Sequence, residues 1–540
     1  QARLAEQVCS GDWPDFIKLP TSSGKTSCLD IAVFALAFQA CRRHATGQVI
    51  DAPRRIFFVV DRRIIVNEAF RRASCLAENL KEAIEDPGSP QYAVAWWLRH
   101  LAGNQQAPPL DCLELRGGIY RDDAWVRSLL QPTIITSTVD QVGSRLLFRG
   151  YGVSDRNLPI HAALTANDSL ILLDEAHCSN PFSQTLAAIA RYRDAGLAAG
   201  EAARWSEQPL HTPFRLVEMT ATPRDGDATE VLQLEPADYK ADALLQTRHG
   251  CSKPTGLVES NARGGRQNLT LARDLVEQAE SLATGGDGQP PCLRIAIVVN
   301  RVECAREAFE LLKKKHGSRC ELMIGRMRPI DRDQLTKKLQ ARFRSGSEAA
   351  LTEPNFVVAT QCLEVGADFD FDGMVCQCAN LDALRQRFGR LNRLGNSPHA
   401  RGVVVMAEGD KSPRKPDPIY GSSLPNTWEW LSQHSSELEI DFGVRSLDAV
   451  IAECRAADPS ATEQLSVPAV NAPVLMPAHL DLLCQTAPRP ALEPEIALYL
   501  HGPGRGVPEV RICWRADLPA PADSWEERCH QTLAACPPSS

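Results

Sequence analysis

The stretch that decides the fold is Ser169-Leu170-Ile171-Leu172-Leu173-Asp174-Glu175-Ala176-His177. A short apolar run closing on two acids reads as a buried parallel strand that presents carboxylates at its C-terminal edge. In open α/β sheets that edge is where ligands sit. There Asp174 would hold Mg²⁺ through its water shell, and Glu175 would polarise an attacking water. Alone, the four residues Asp-Glu-Ala-His are ordinary at a strand end, so their weight depends on what else the chain carries.

Upstream, Pro20-Thr21-Ser22-Ser23-Gly24-Lys25-Thr26 follows a short strand-like run, Asp15 to Leu19, and precedes a helix-like run from Ser27. Backbone N–H groups of such a loop cradle phosphates, Lys25 would reach the β- and γ-phosphates, and Thr26 would ligate Mg²⁺. The strict pattern fails at its first position, which is Leu19. Lys25, Thr26, Asp174 and Glu175 together supply what phosphoryl transfer needs: a charge clamp, a metal and an activated water.

Strand-like runs alternate with helical patterns through the first 225 residues. The strands expected are Asp15 to Leu19, Arg55 to Asp61, Thr133 to Thr138, Ser169 to Leu173 and Phe214 to Thr220, with helices such as Ile64 to Leu80 and Pro181 to Asp194 between them. This alternation predicts a parallel sheet with helices on both faces. Asp225 to Gly250 is expected to leave the sheet, and the Gly285-to-Pro291 run reads as linker. The alternation then restarts with Leu293 to Asn300, Glu321 to Ile324, Asn355 to Thr360, Gly373 to Gln377 and Gly402 to Ala407. The fold class expected is therefore α/β, with two tandem parallel-sheet lobes and a smaller C-terminal domain. The expected boundaries are 1–250 and 251–410 for the lobes, 411–427 for a Pro-rich linker and 428–540 for an accessory domain. In that last part Trp428 to Ala457 reads as largely helical, and Glu495 to Leu500 and Val510 to Trp514 as strands.

The second lobe carries Gln386-Arg387-Phe388-Gly389-Arg390-Leu391-Asn392-Arg393. Read as a helix, Arg387, Arg390 and Arg393 drift slowly round one face. Guanidinium groups facing a triphosphate stabilise charge on the transferring phosphoryl group, and Arg390 and Arg393 are the preferred candidates. Thr360 to Asp368 ends a strand and turns sharply, and Thr220-Ala221-Thr222-Pro223 ends another. Both lie where one lobe would sense the other.

Composition limits the alternatives. The chain has 540 residues, 44% hydrophobic and 23% charged, which is ordinary for a globular protein of about three domains. A net charge of −8 advertises no global basic field, though a local basic groove suffices for phosphate contacts. The 18 cysteines include no C-x-x-C pair, so buried thiols in a reducing cytosol are expected rather than zinc or disulfides. The most apolar helix-like run, Leu29 to Ala40, is too short to span a bilayer. The start at Gln1 and the end at Cys536-Pro-Pro-Ser-Ser suggest a piece of a longer protein.

On these residues the chain resembles a superfamily 2 helicase. The phosphate loop, Asp174 to His177, Thr220 to Thr222, Thr360 to Asp368 and Gln386 to Arg393 follow in the order of that superfamily's motifs, over roughly residues 1–410. Within it, Val59-Val60-Asp61-Arg62-Arg63, Leu115-Arg116-Gly117-Gly118 and Ser137-Thr138-Val139-Asp140-Gln141-Val142 look most like the helicase–nuclease of type I CRISPR interference, in its I-G (formerly I-U) branch. The resemblance implies RecA-like lobes, a lid formed by residues 428–540, and an ATP-dependent, 3′ to 5′ translocase and helicase. Its track would be single-stranded DNA opened by an RNA-guided surveillance complex. ATP and Mg²⁺ are the implied cofactors. It implies ATP contacts from Gln1, Thr21, Ser22, Ser23, Gly24, Lys25, Thr26, Gly366 and Asp368, catalysis with help from Gln386, and coupling through His177, Thr220 and Thr222. It implies nucleic-acid contacts from Arg62, Arg63, Arg116, Gly117, Thr138, Gln141, Asn300, Arg301 and Thr360, with Arg326 and Arg332 as further candidates. The family's metal-dependent nuclease needs a His-Asp dipeptide, and none of the 12 histidines here is followed by Asp. The nuclease is therefore expected beyond Ser540 or in trans. An RNA-directed helicase and a non-catalytic nucleic-acid scaffold are the alternatives, and the implied location is a prokaryotic cytoplasm.

Overall fold

The computed structural model describes residues 1–20, 23–61, 63–116, 123–193, 212–220, 230–285, 288–325, 327–347, 351–364, 368–412, 416–458 and 460–504. The chain forms two compact units. One comprises residues 1–19, 24–233 and 469–540, and the other residues 20–23 and 234–468.

The first unit is built on β1 (Phe16–Lys18), β2 (Arg55–Val60), β3 (Asp111–Leu115), β4 (Thr133–Thr138), β5 (Ser169–Asp174), β6 (Phe214–Thr220) and β7 (Val231–Gln233). They form one sheet in the order β3-β4-β2-β5-β6-β1-β7, and every pairing is parallel. Strands β2, β4 and β5 are buried along their whole length, as β-branched and Leu-rich runs are when helices cover both faces. Phe57, Ile135, Ile171, Leu173 and Phe182 lie in its core.

The second unit repeats the plan with β8 (Pro254–Ser260), β9 (Arg294–Val298), β10 (Cys320–Met323), β11 (Asn355–Ala359), β12 (Gly373–Gln377), β13 (Arg401–Ala407) and β14 (Glu439–Asp441). The order is β10-β11-β9-β12-β13-β8-β14, parallel except for β14, which runs antiparallel to β8. Two tandem α/β lobes are thus present. Every helix–strand alternation read from the sequence reappears, with bounds shifted by a residue or two at most sheet strands.

Several expectations change. Asp225 to Gly250 does not wholly leave the sheet: Val231–Gln233 is its edge strand, beside β1. Glu495 to Leu500 is not a strand; the helix Ile496–His501 lies there, packed on the helices Val139–Leu146 and Asn180–Tyr192. Val510 to Trp514 falls outside the described residues. The segment expected as a separate lid divides. Residues 428–468 belong to the second unit, and the chain from Ala469 returns to the first. Arg149 fixes that return: its guanidinium donates to the carbonyl of Leu483 at 2.7 Å and to Glu493 Oε2. Among the described residues no helix is long and apolar enough to cross a membrane.

Candidate active site

Strand order places the site. In the first sheet β5, β6 and β1 are neighbours, with Asp174 opposite Met219 and Lys18 opposite Thr220. The C-terminal ends of β1, β5 and β6 therefore lie side by side at one edge, with Glu175 to His177 following β5.

Gly24 opens the turn Lys25–Ser27 with φ +81°. A side chain there would be strained, and its Cβ would meet Gln1 Nε2 at 2.9 Å. Gln1 donates that amide to Ser27 Oγ at 2.8 Å, so it stands beside the phosphate loop. Ser23 lies half-buried in the same loop, while Thr21 and Ser22 lie outside the described residues.

Lys25 is buried. Its Nζ lies 2.8 Å from Glu175 Oε1 and 3.4 Å from Asp174 Oδ1. Burial disfavours the ammonium, but the two carboxylates outweigh it and hold the Lys25 pKa above the ordinary range. Burial pushes the Asp174 carboxyl up to about 6; Lys25 opposes that rise and Glu175 adds to it. Glu175 sits at φ 51°, ψ 46°, a left-handed backbone held by a non-glycine residue. Such strain persists where surrounding structure over-determines it, commonly at functional sites. His177 Nδ1 lies 3.0 Å from Thr220 Oγ1 and 3.5 Å from Glu175 Oε2, so the two residues expected to couple are joined. Thr222 lies outside the described residues.

A divalent cation fits this corner. Asp174 Oδ1 is buried with Lys25 Nζ at 3.4 Å, and the Thr26 hydroxyl lies in the turn after the loop. An all-oxygen donor set of this kind suits Mg²⁺, which keeps waters and shares phosphate oxygens rather than needing a full protein cage. No cluster of three or more His, Cys, Asp or Glu side chains fit for a metal occurs among the described residues.

The second unit gathers its own candidates. Ala359 faces Val298 across β11 and β9, and Cys376 faces Val298 from β12, so Asn300, Thr360 and Gln377 share one edge. The helix bearing the arginines is shorter than expected. It runs Leu381–Phe388, so Arg390 and Arg393 lie in the following turn and not on a common helix face with Arg387. Arg387 points inward and is fully buried. It donates to Glu364 Oε1 (2.9 Å), the Gln377 carbonyl (2.8 Å), Asn300 Oδ1 (2.9 Å) and the Tyr420 hydroxyl (3.0 Å). Arg390 donates to the Glu364 carbonyl at 3.2 Å, and Arg393 lies 3.4 Å from Asp368 Oδ1. Gln386 is half-buried in the last turn of the helix; Gly366 lies outside the described residues.

The expected nucleic-acid contacts separate into groups. Arg116 pairs with Glu114 at 2.8 Å, and Arg301 with Asp417 at 3.0 Å; Arg301 is half-exposed. Thr138, Gln141, Asn300 and Thr360 are buried. The Gln141 side chain accepts from Arg145 at 2.7 Å, and the Asn300 amide donates to the Cys378 carbonyl at 2.8 Å. The Gln141 and Asn300 side chains are thus already engaged within the fold. Arg63 starts the helix Arg63–Ala83, and Arg332 lies half-buried in the helix Pro329–Phe343. Arg62, Gly117, Gly118 and Arg326 lie outside the described residues. Sequence reasoning missed Glu364 and Tyr420 as partners of Arg387; the acid within Thr360 to Asp368 was the available signal.

The family model described as "CRISPR-associated nuclease/helicase Cas3, C-terminal" matches residues 293–396. The chain is 28% identical over 120 residues to the CRISPR-associated endonuclease/helicase Cas3 of Escherichia coli strain K12, covering 22% of this chain and 13% of that protein. It is 25% identical over 120 residues to the Cas3 of Methanothermobacter thermautotrophicus, covering 22% and 14%. Its fold is similar to ATP-bound T. fusca Cas3, with a TM-score of 0.53 and 18% identity over 86% of this chain and 52% of that one. The AMPPNP-bound T. fusca structure gives a TM-score of 0.52 and 16% identity, with the same coverage. The chain thus spans about half the length of the solved chains it resembles.

Proposed function

We propose that the protein is an ATP-driven helicase of the Cas3 type: a nucleic-acid-dependent ATPase that translocates on single-stranded DNA. The observation that carries this reading is the buried pair Lys25 and Asp174 with the half-buried Glu175, at the edge of β1 and β5. In it a phosphate-binding cation meets a metal-binding acid and a water-activating acid. A Cas3 family model matching residues 293–396, similarity to Cas3 proteins and a shared fold support the same reading.

The chemistry follows from the residues. The phosphate-loop backbone and Lys25 bind the triphosphate. Mg²⁺, held by the Thr26 hydroxyl and Asp174, would offset phosphate charge. Lys25 leaves Glu175 for the nucleotide, and the freed Glu175 carboxylate orients the attacking water. Arg390 and Arg393 are assigned, on the sequence motif alone, the role of offsetting charge on the transferring phosphoryl group. His177 and Thr220 relay the state of Glu175 to the end of β6. The finer reading is a 3′ to 5′ DNA helicase of type I CRISPR interference, in the I-G branch. It would be recruited by an RNA-guided surveillance complex in a prokaryotic cytoplasm, with a nuclease acting in cis or in trans. It rests on the residue motifs alone.

The test is steady-state ATP hydrolysis without nucleic acid, with single-stranded DNA and with single-stranded RNA, beside a Lys25→Ala control. Stimulation by DNA that disappears in the control is the expected result. Equal or greater stimulation by RNA would identify an RNA helicase, and no hydrolysis under any condition would identify a scaffold.

A further inference from the structure

Lys253 belongs to no motif, yet it is almost completely buried, 4% exposed, just before β8. Among the described residues its ammonium makes one hydrogen bond, 2.8 Å to the carbonyl of Phe388. Phe388 is the last residue of the helix Leu381–Phe388, immediately before Gly389 and Arg390. Burying an ammonium on a single acceptor is unfavourable, and burial indeed lowers the Lys253 pKa against the pull of Cys251, Asp370 and Asp441. A cation at a helix C-terminus does find the negative end of the helix dipole.

The turn it touches is held from its other sides as well. Phe371 donates its N–H to the Arg390 carbonyl at 3.0 Å, and Asn392 donates its own to the Phe371 carbonyl at 2.8 Å. The Arg393 N–H donates to Asp370 Oδ1 at 2.7 Å. Asn392 adopts φ 44° and bonds Ser397 through both side-chain atoms. Gly395, at φ +77°, has no room for a Cβ, which would meet the Thr247 carbonyl at 2.9 Å. The Phe388 carbonyl also accepts from the Leu391 N–H at 3.2 Å, and the Gly389 and Arg390 N–H groups close on the Arg385 and Arg387 carbonyls at 2.9 Å, so the Lys253 ammonium adds a side-chain charge to a helix end otherwise closed by backbone.

We propose that Lys253 is a positioning residue for Arg390: its buried ammonium, seated on the Phe388 carbonyl, sets the direction in which Gly389 and Arg390 leave the helix. This rests on the reading above, in which Arg390 acts on the phosphates. The same chain is assayed as wild type, Lys253→Met, Arg390→Ala and the double variant. Lys253→Met is expected to lower kcat about tenfold, since a small misplacement of a charge-stabilising group costs that much or more, and to leave the KM for ATP within about twofold. In the Arg390→Ala background it should cause no further loss. A damaged fold would instead lower kcat by the same factor in both backgrounds, and that result overturns the proposal, as does an unchanged kcat in the single variant. Thermal melting checks folding; if Lys253→Met does not fold, Lys253→Gln, which keeps a donor without the charge, carries the same cycle. A wild type that hydrolyses ATP beside an unaffected Lys253→Met sinks this inference alone. An inactive wild type sinks the hydrolysis reading, and this inference with it.

Discussion

Glu175 holds the most telling conformation in the first unit. It is a non-glycine residue in left-handed backbone, its carboxylate bound to Lys25 at 2.8 Å and its other oxygen 3.5 Å from His177. In this ion pair each group is the other's partner, and in the proposed function a nucleotide would compete for the lysine. Glu175→Gln removes the charge while keeping the shape. ATP hydrolysis should fall at least about a hundredfold while ATP still binds, as expected when a group needed only for water activation is lost. Fluorescent-nucleotide binding beside phosphate release measures both; a variant that hydrolyses normally would remove Glu175 from the chemistry. At this scale the sequence was informative about residue types and silent about direction. Lys25, Asp174 and Glu175 were readable because a loop and an acidic strand end are local patterns. Arg390 and Arg393 were misread as sharing a helix face with Arg387 because three-residue spacing says nothing about where a helix stops.

Elements show where local patterns fail. Strands β4 and β12 were readable to their ends because each is a continuous run of buried residues; β6 was also readable, though it carries the exposed Arg215. Strands β7 and β8 were not. Val231–Gln233 is too short to carry a period, and Pro254–Ser260 contains a proline and a glycine, both poor strand residues. The helix Ile496–His501 was read as a strand because six apolar-rich residues fit either period. Its docking depends on one small residue. A Cβ on Gly143 would collide with Leu500 Cδ2 and crowd Phe182 Cε2 at 3.1 Å, while Thr185 holds the Tyr499 carbonyl at 2.7 Å. Gly143→Ala should therefore destabilise the first unit by about 1–3 kcal/mol, the usual range for overpacking. Denaturant unfolding measures it, and an unchanged midpoint would mean that the helix Ile496–His501 shifts freely.

At the scale of the molecule, the chain leaves the first unit after Gln233 and returns to it at Ala469, so the first unit is assembled from distant segments. Its stability is linked to pH through His161. This ring is buried, accepts from Arg145 Nε at 3.3 Å and packs edge-on against Trp125 at 5.3 Å. Burial, helped by Arg145 and opposed by Asp123, depresses its pKa from 6.5 to about 4. The unfolded chain binds the proton more readily, so stability is fully present above pH 6.5 and is lost as pH falls toward 4. The loss is at most about 3 kcal/mol at 1.36 kcal/mol per pKa unit. Urea unfolding at pH 7.5 and 4.5 should show this slope in the wild type and a flatter one in His161→Asn; identical slopes would refute the assignment.

The sequence by itself determined the two α/β lobes and the acidic strand end, because hydrophobic period and turn chemistry act within a few residues. Only the tertiary structure decided which strands are neighbours, and therefore that Lys25, Glu175, His177 and Thr220 meet at one edge. It alone turned Arg387 into the core, withdrew Gln141 and Asn300 from the surface, and set Lys253 against the helix end. The reason is physical: a buried polar group must find its partner wherever the fold brings one, and such partners lie far apart along the chain.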